Sequence, residues 1–127
     1  SDLTIINGNF EAKPLFDNTN LYNITPDILV KKSGKVCLIM DTKYKPKVGR
    51  EDLWQIITYT VSYDVDAGIL IYPNTNNLQP IETFQINNKT IYIFRFDLSK
   101  LDKEESRLKD FTIKLLSQQH SVRMYQI

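Results

Sequence analysis

Two aspartates and one lysine carry the strongest chemical signal in this chain. Asp27 follows Pro26, and a single threonine separates Asp41 from Lys43. The aspartates lie seven residues on either side of Gly34, so a β-hairpin that reverses there would place them opposite each other, within about one residue of register. Lys43 would share a strand face with Asp41 because strand side chains alternate. Facing carboxylates repel each other, and a divalent cation, helped by the lysine, would relieve that repulsion.

The hairpin that must position these residues is predicted from two apolar runs around a short turn. Its arms are residues 26–30 and 36–43, and residues 31–35 between them contain the glycine. The second arm is apolar on both alternations, which is typical of a strand covered on both faces in the middle of an α/β sheet. Cys37 lies in this arm, and we expect it to be a buried thiol.

A helix is predicted from about residue 50 to residue 63. Glu51 and Asp52 suit its positive N-terminal end. Its apolar stripe at helical spacing consists of Leu53, Ile57 and Val61. Gln55 and Tyr59 are four residues apart and share a face, a spacing that is equally consistent with ordinary polar groups on a helix surface.

The following segments predict further strands of a mixed sheet. Residues 67–73 form a compact apolar run that ends in proline, which indicates a buried strand after the helix. Residues 81–86 and 90–96 alternate in hydrophobicity around two asparagines and indicate a second hairpin.

The two ends of the chain give weaker patterns. Residues 3–6 and 10–16 are strand candidates, the second at a sheet edge because of its proline, and residues 17–20 are predicted to be a loop. A last helix is predicted near the C-terminus, in which Asp102 and Glu105 resemble a capping pair. Its apolar stripe consists of Leu108, Phe111 and Leu115.

Length and composition exclude several classes of protein. The chain has 127 residues, enough for one domain with a single core. One histidine and one cysteine exclude a Cys/His zinc cluster and a disulfide framework. No apolar run approaches the ~20 residues of a membrane-spanning helix, and the chain has neither a secretory signal pattern nor a P-loop. We therefore expect a cytoplasmic domain that makes no membrane contact and does not hydrolyse nucleotides itself.

Basic residues are concentrated near the candidate site, although the net charge is only +1. Between residues 31 and 50 the only acid is Asp41, and the bases are Lys31, Lys32, Lys35, Lys43, Lys45, Lys47 and Arg50. Such a cluster is commonly just a solvated face, but we expect this one to bracket the candidate metal site, where phosphates would have to arrive. The candidate contacts to a DNA backbone are Tyr44, Lys45, Lys47 and Arg50.

The pattern Pro26-Asp27 followed by Asp41-Thr42-Lys43 resembles the PD-(D/E)xK nuclease superfamily. Two longer strings, Asp41-Thr42-Lys43-Tyr44-Lys45 and Leu53-Trp54-Gln55-Ile56-Ile57-Thr58-Tyr59, are similar to McrC, the nuclease subunit of the modified-cytosine restriction system. The resemblance covers about residues 24–116. It implies an α/β, restriction-endonuclease-like fold, with a central mixed β-sheet flanked by helices. It also implies a Mg²⁺-dependent endonuclease that hydrolyses DNA phosphodiester bonds, with Mn²⁺ as a substitute metal.

The resemblance also assigns roles to residues. The implied catalytic residues are Asp27, Asp41, Lys43, Gln55 and Tyr59. Asp27 and Asp41 would bind the metal together with the backbone carbonyl of Thr42, and Lys43 would orient or deprotonate the attacking water. The glutamine and tyrosine of the helix would hydrogen-bond water or a phosphate beside the lysine.

Partners follow from the same resemblance. Double-stranded DNA is the implied substrate, and a GTP-driven AAA+ ring is the implied partner that reads modified cytosine and moves DNA. Residues 1–127 would then be the nuclease domain in the C-terminal part of a longer subunit, without the partner-docking region and the upstream helix that carries another acid. Glu11 is the candidate for that acid within this chain.

Two alternatives stay open from the sequence alone. One is another nuclease of the superfamily, such as a DNA-repair or mobile-element enzyme that acts on different DNA. The other is a non-catalytic module that uses the same fold to bind DNA or a protein. Metal binding that depends on Asp41 distinguishes an enzyme from the binding module, and a comparison of methylated with unmodified DNA distinguishes the two enzymes.

Overall fold

The structure is a computed structural model that describes residues 3–8 and 13–125, with the backbone alone for residues 21, 22 and 118–125. This part of the chain contains eight β-strands and two α-helices. The elements are β1 Leu3–Asn7, β2 Lys13–Phe16, β3 Thr19–Ile24, β4 Ile28–Lys32, β5 Lys35–Thr42, α1 Arg50–Ser62, β6 Ala67–Pro73, β7 Ile81–Ile86, β8 Lys89–Phe96 and α2 Leu101–Tyr125.

Six of these strands form one mixed sheet in the order β1-β4-β5-β6-β8-β7. The central pairs β5–β6 and β6–β8 are parallel, and the outer pairs are antiparallel. Helix α1 supplies the crossover that the parallel β5–β6 pair requires. It packs on one face of the sheet and α2 packs on the other. The predicted α/β class, with a central mixed sheet flanked by helices, is confirmed.

The two faces of the sheet carry separate hydrophobic cores because strand side chains alternate. Ile39 of β5 belongs to the core that contains Ile56 and Tyr59 of α1. Its neighbour Leu38 belongs to the opposite core, which contains Leu115 of α2. Both β5 residues are fully buried, which confirms that β5 is covered on both faces.

The predicted hairpin at Gly34 is also confirmed. Gly34 has a φ of 81°, the left-handed conformation that favours glycine. Ile28 of β4 pairs with Met40 of β5, so Asp27 and Asp41 come next at the open end of the hairpin. Strand β6 and the β7–β8 hairpin form as predicted.

Helix α1 has the predicted bounds to within one residue, but its buried face is not the predicted apolar stripe. The buried positions include Ile56, Tyr59 and Thr60. In the predicted stripe, Leu53 and Ile57 are only partly buried, and Val61 is 59% exposed. Thr60 lies in the core because its hydroxyl donates a hydrogen bond to the Ile56 carbonyl at 2.6 Å, which satisfies the polar group within the helix.

Two further predictions in the sheet and at the second helix need correction. Cys37 is only partly buried. Before α2, Asp97 Oδ1 accepts a hydrogen bond from the Ser99 N–H at 3.0 Å, and Glu104 Oε1 accepts one from the Asp97 N–H at 2.8 Å. A 3-10 turn precedes the helix, which begins at Leu101. The predicted capping pair, Asp102 and Glu105, therefore lies inside the helix and is exposed.

The predicted apolar stripe of α2 does pack against the sheet, and it consists of Leu108, Phe111 and Leu115. Among the described residues, no helix is both long enough and apolar enough to cross a membrane.

Strand β1 forms as predicted, whereas strands β2 and β3 pair in a separate two-stranded sheet. The loop predicted over residues 17–20 is therefore wrong in its second half. Phe16 pairs with Thr19, which leaves Asp17 and Asn18 as a two-residue turn. Both turn residues are suited to such a reversal because their short polar side chains bond to the local backbone.

Gly68 of β6 lies where α1 packs closely on the sheet. A β-carbon at this position would lie 2.7 Å from Thr60 Oγ1 and 2.9 Å from Ile56 Cγ1. Because both neighbours are buried, we expect Gly68→Ala to lower the free energy of unfolding by about 1–3 kcal/mol, measured by urea denaturation. Gly34→Asn is the control, since a β-carbon there meets open space and asparagine tolerates positive φ. An unchanged stability of Gly68→Ala would contradict the tight packing.

Candidate active site

The two aspartates meet at the open end of the β4–β5 hairpin, as predicted. The backbone N–H of Asp27 donates to Asp41 Oδ1 at 3.0 Å. The backbone N–H and the hydroxyl of Thr42 both donate to Asp27 Oδ2, each at 2.8 Å. Each carboxylate therefore accepts hydrogen bonds from the opposite arm of the hairpin, which offsets part of their repulsion. Asp41 is 5% exposed, whereas Asp27 is exposed.

The amine of Lys43 lies beside Asp41, on the face of the sheet that α1 covers. Lys43 Nζ is 2.9 Å from Asp41 Oδ2 and donates to Gln55 Oε1 at 2.6 Å. The Lys43 backbone N–H donates to the Ile71 carbonyl at 2.8 Å, so the chain continues the β5–β6 ladder at this residue. That bond fixes the point from which the side chain extends. The structure thus brings the three residues of the predicted pattern together.

Burial sets the electrostatics of this group. It raises the pKa of Asp41, although hydrogen bonds from Lys43 and from the Asp27 N–H lower it in part. Burial alone would lower the pKa of Lys43, but the hydrogen bond to Asp41 and the charges of Asp41 and Asp52 raise it overall. This arrangement favours the ammonium form of the lysine.

Gln55 and Tyr59 share the face of α1 that borders the site, as predicted. Burial raises the pKa of the Tyr59 hydroxyl, and the charge of Asp41 adds to this effect. The charge of Lys43 and a hydrogen bond with Gln55 act in the opposite direction. Tyr59 is therefore a protonated phenol, and the pair places a hydroxyl and an amide beside the lysine.

Asp52 is a site residue that the sequence pattern did not identify. It is 7% exposed at the start of α1. Its Oδ2 accepts hydrogen bonds from the Tyr72 hydroxyl at 2.5 Å and the Gly49 N–H at 3.2 Å, and it lies 3.1 Å from Lys45 Nζ. Its Oδ1 lies 3.9 Å from Lys43 Nζ. Burial alone would raise the pKa of Asp52, but these hydrogen bonds outweigh burial and lower it.

Helical spacing is the signal that could have identified Asp52. Residues 52, 55, 56 and 59 are spaced three or four apart and so lie on one face of the helix. The charge of Asp52 also suits the positive N-terminal end of the helix, so its residue type alone gives no reason to place it in the site. Its partner Tyr72 lies 20 residues away on β6, and no local pattern marks that contact.

The predicted DNA-contacting residues are exposed. Tyr44 is 95% exposed, and Lys47 and Arg50 are exposed as well. The Arg50 guanidinium lies 6.0 Å from the ring centroid of Trp54, within the range of a cation–π contact. Lys45 differs from the others because its ammonium is paired with Asp52.

The remaining basic residues do not bracket the site, so that part of the prediction is wrong. They lie at the turn end of the hairpin: Lys31, Lys32 and Lys35. Asp41 lies at the other end of β5, about 20 Å away at the usual rise of a strand. Residues that are close in sequence lie far apart in space when a strand joins them.

No group of three or more His, Cys, Asp or Glu residues that could hold a metal occurs among the described residues. The oxygen donors at the site are the paired carboxylates of Asp27 and Asp41. Asp52 is already engaged by the lysines and Tyr72. Glu11, the candidate for a third acid, lies outside the described residues. The role of the Thr42 carbonyl stays a prediction.

Comparison with known proteins identifies a family. The family described as McrBC 5-methylcytosine restriction system component matches residues 8–73, more than half of the chain. The chain belongs to this family. The matched segment contains the two aspartates, Lys43, all of α1 and Tyr72, and it ends before β7, β8 and α2. No curated protein sequence gives a significant match.

A solved structure is similar in fold. It is described as a refined half-complex from a tetradecameric assembly of Thermococcus gammatolerans McrB AAA+ hexamers with bound McrC. One of its chains matches with a TM-score of 0.53 and 17% sequence identity, over 75% of this chain and 23% of that chain. At this identity the likeness shows the fold alone, and the present chain spans about a quarter of that relative's length.

The lowered pKa of Asp52 predicts a pH-dependent contribution to stability. Because the pKa is lower in the folded state, the carboxylate stabilises the fold above its ordinary pKa of about 4, and this contribution is lost as the pH falls through the folded-state value. We expect Asp52→Asn to lower the free energy of unfolding by about 1–3 kcal/mol near pH 7. The deficit should shrink below about pH 4 in urea denaturation.

Glu51→Gln is the matched control, because Glu51 is an exposed acid at the same helix end. We expect it to change stability by no more than about 0.5 kcal/mol. A deficit of Asp52→Asn that does not vary with pH would contradict the role of its charge.

Proposed function

We propose that this chain is the DNA-cleaving part of a methylation-dependent restriction system, a metal-dependent endodeoxyribonuclease of the PD-(D/E)xK superfamily. The observation that carries the proposal is the contact of Lys43 Nζ with Asp41 at 2.9 Å, where Asp41 is hydrogen-bonded to Asp27 across the mouth of the hairpin. This geometry lies within the segment that matches the McrBC family. Two carboxylates and an amine at one point suit the hydrolysis of a phosphodiester.

The donor set at this point fits Mg²⁺, for which Mn²⁺ would substitute. Mg²⁺ prefers oxygen ligands and is commonly bound through one or two carboxylates, with water at the remaining positions. Asp27 and Asp41 would hold it, with the Thr42 carbonyl as a further oxygen. The two hydrogen bonds from Thr42 both go to Oδ2 of Asp27, which leaves Oδ1 of that carboxylate as the oxygen that would face the metal. When bound, the cation would supply Lewis-acid stabilisation of charge at the phosphate.

The chain's own residues would divide the remaining work. Lys43 would orient the attacking water and offset the negative charge that develops at the phosphate. Gln55 accepts a hydrogen bond from the lysine amine, and the Tyr59 hydroxyl would donate to water or a phosphate oxygen. Exposed residues of the loop after β5 and of the start of α1 would contact the DNA backbone: Tyr44, Lys45, Lys47 and Arg50.

We propose that a GTP-driven AAA+ partner supplies recognition of the modified base. The similar solved structure is described as an assembly of McrB AAA+ hexamers with bound McrC. Within the described residues, the two helices pack against the sheet, and neither is presented as a recognition helix of a known DNA-binding motif. Double-stranded DNA would be the substrate, and sequence or methylation context would be read elsewhere in the complex.

Substitution of Asp41 tests the proposed activity. In the intact, full-length protein with its partner, GTP and Mg²⁺, we expect cleavage of cytosine-methylated DNA that falls by more than about 100-fold in Asp41→Asn. Mg²⁺ binding, measured by titration calorimetry, should be lost in the same variant. Asp64→Asn is the control because the Asp64 side chain is 97% exposed.

Three other results would contradict the proposal or favour one of the alternatives. Unchanged cleavage by Asp41→Asn would contradict the assigned site. Absence of Mg²⁺ or Mn²⁺ binding that depends on Asp41 would favour a non-catalytic module. Equal cleavage of methylated and unmodified DNA would favour another nuclease of the superfamily.

The salt dependence of DNA binding tests the exposed cations. Each lysine or arginine that contacts a phosphate contributes about one unit to the slope of log Kd against log salt concentration. We therefore expect Lys47→Ala and Arg50→Ala each to reduce the slope by about 1, measured by fluorescence anisotropy without divalent metal. Lys35→Ala, at the far end of β5, is the control. An equal reduction in all three variants would contradict a localised DNA-binding face.

A further inference from the structure

We propose that Asp52 is a positioning residue whose single buried carboxylate sets the places of the Lys43 and Lys45 ammonium groups in the active site. This inference rests on the proposed nuclease function and adds a residue to which the family resemblance assigns no role. Asp52 touches neither of the carboxylates that would hold the metal. It would act only through the two lysines.

The two oxygens of Asp52 face different partners. Oδ2 lies 3.1 Å from Lys45 Nζ, within hydrogen-bond distance. Oδ1 lies 3.9 Å from Lys43 Nζ, a distance at which the attraction is electrostatic rather than a hydrogen bond. One carboxylate therefore acts on both cations, through a different oxygen for each.

The carboxylate itself is held by the sheet and by the helix. The hydroxyl of Tyr72, a β6 residue that is 1% exposed, donates to Oδ2 at 2.5 Å. The Gly49 N–H donates to the same oxygen at 3.2 Å, at the first turn of α1. Because a buried charge without a partner is costly and this carboxylate is fixed by two rigid elements, the flexible lysines must come to it.

Gly49 provides the space in which Lys45 reaches Asp52. Its φ of −96° is a conformation that any residue adopts, so the backbone does not require glycine here. A β-carbon would lie 3.2 Å from Lys45 Nζ and 3.5 Å from Asp52 Oδ2. A side chain at this position would therefore crowd the contact between the lysine and the carboxylate.

The consequence concerns how the two amines are presented. Lys43 is attracted by Asp52 at 3.9 Å and bonded to Asp41 at 2.9 Å and to Gln55 at 2.6 Å. Without Asp52 the ammonium would keep only its contacts with Asp41 and Gln55, so its position beside the reacting phosphate would be less restricted. The Lys45 side chain remains 55% exposed while paired, so its charge is held at a fixed place on the surface that a phosphate would approach.

Cleavage kinetics of the intact protein with its partner test this role. We expect Asp52→Asn to reduce kcat by about 10- to 100-fold while the calorimetric Mg²⁺ affinity is unchanged, because Asp52 positions lysines and binds no metal. Gly49→Ala and Tyr72→Phe should reduce kcat in the same direction by smaller factors. Glu51→Gln should match the wild type.

A double substitution adds a readout that a merely structural role would not produce. Because Lys45 would depend on Asp52 for its position, Lys45→Ala should lower kcat much less in the Asp52→Asn background than in the wild type. Fully additive losses, or loss of Mg²⁺ affinity in Asp52→Asn, would overturn the proposal. If Asp52→Asn does not fold, Gly49→Ala with Lys45→Ala provides the same cycle.

Chemical labelling tests the contact without relying on cleavage. An amine held in an ion pair is less available to acetylating reagents, so Lys45 should react several-fold more slowly than the exposed Lys47 in peptide mass spectrometry. The difference should disappear in Asp52→Asn and persist in Glu51→Gln. A Lys45 to Lys47 ratio unaffected by Asp52→Asn would overturn the positioning role. Absence of cleavage in the wild type, with the expected labelling, would instead overturn the proposed function alone.

Discussion

Asp41 is a buried carboxylate at the end of a strand that is covered on both faces. Such a charge needs hydrogen-bond and ionic partners, and the rest of the fold has to supply them. Its partners come from two parts of the chain. The hairpin supplies the Asp27 N–H, and the residue after the strand supplies the Lys43 amine. The crossover helix then supplies Gln55, which bonds the lysine. Because a parallel β5–β6 pair needs that crossover, the topology brings the helix to the carboxylate.

Two buried aspartates in this site have pKa values shifted in opposite directions, and burial together with the number of donors explains the difference. Three donors converge on Asp52 and lower its pKa despite burial. At Asp41 burial dominates, because fewer donors oppose it and the charge of Asp27 adds to it, so the pKa of Asp41 is raised. A carboxylate whose charge is incompletely compensated is the one that a cation would stabilise most. This contrast agrees with the proposed metal at Asp41 and the proposed positioning role of Asp52, both of which rest on the contacts that the two carboxylates make.

Local patterns predicted the parts of the fold that local forces determine. The turn at Gly34 and the apolar strand after it are short-range features, and counting from the glycine predicts the pairing of Asp27 with Asp41 to within one residue. A register shift between Val30 and Lys31, which no local pattern marks, sets the final alignment. The buried strand β6 and the β7–β8 hairpin follow from the same kind of signal. The family match supports the resemblance to the McrBC restriction system, whereas membership of the PD-(D/E)xK superfamily stays a prediction.

The errors arose where contacts are distant in sequence or where an element is extended. The bond between Asp52 and Tyr72 joins residues 20 positions apart, so no periodicity reveals it. Lys35 lies close to Asp41 in sequence, yet the length of β5 separates them. On α1, a buried Thr60 that satisfies its own hydroxyl displaced the expected apolar stripe. In each case tertiary packing overrode a pattern that was locally reasonable.

A crystal structure of the intact protein soaked in Mn²⁺ would test the proposed metal site most directly, because the anomalous signal of the ion gives its position without assumptions. We predict an anomalous peak within coordination distance of the Asp27 and Asp41 carboxylates, with Lys43 Nζ nearby. Full Mn²⁺ occupancy elsewhere in the protein, with the two aspartates still bound only to their hairpin partners and the lysine, would contradict a metal-dependent nuclease centred on this hairpin.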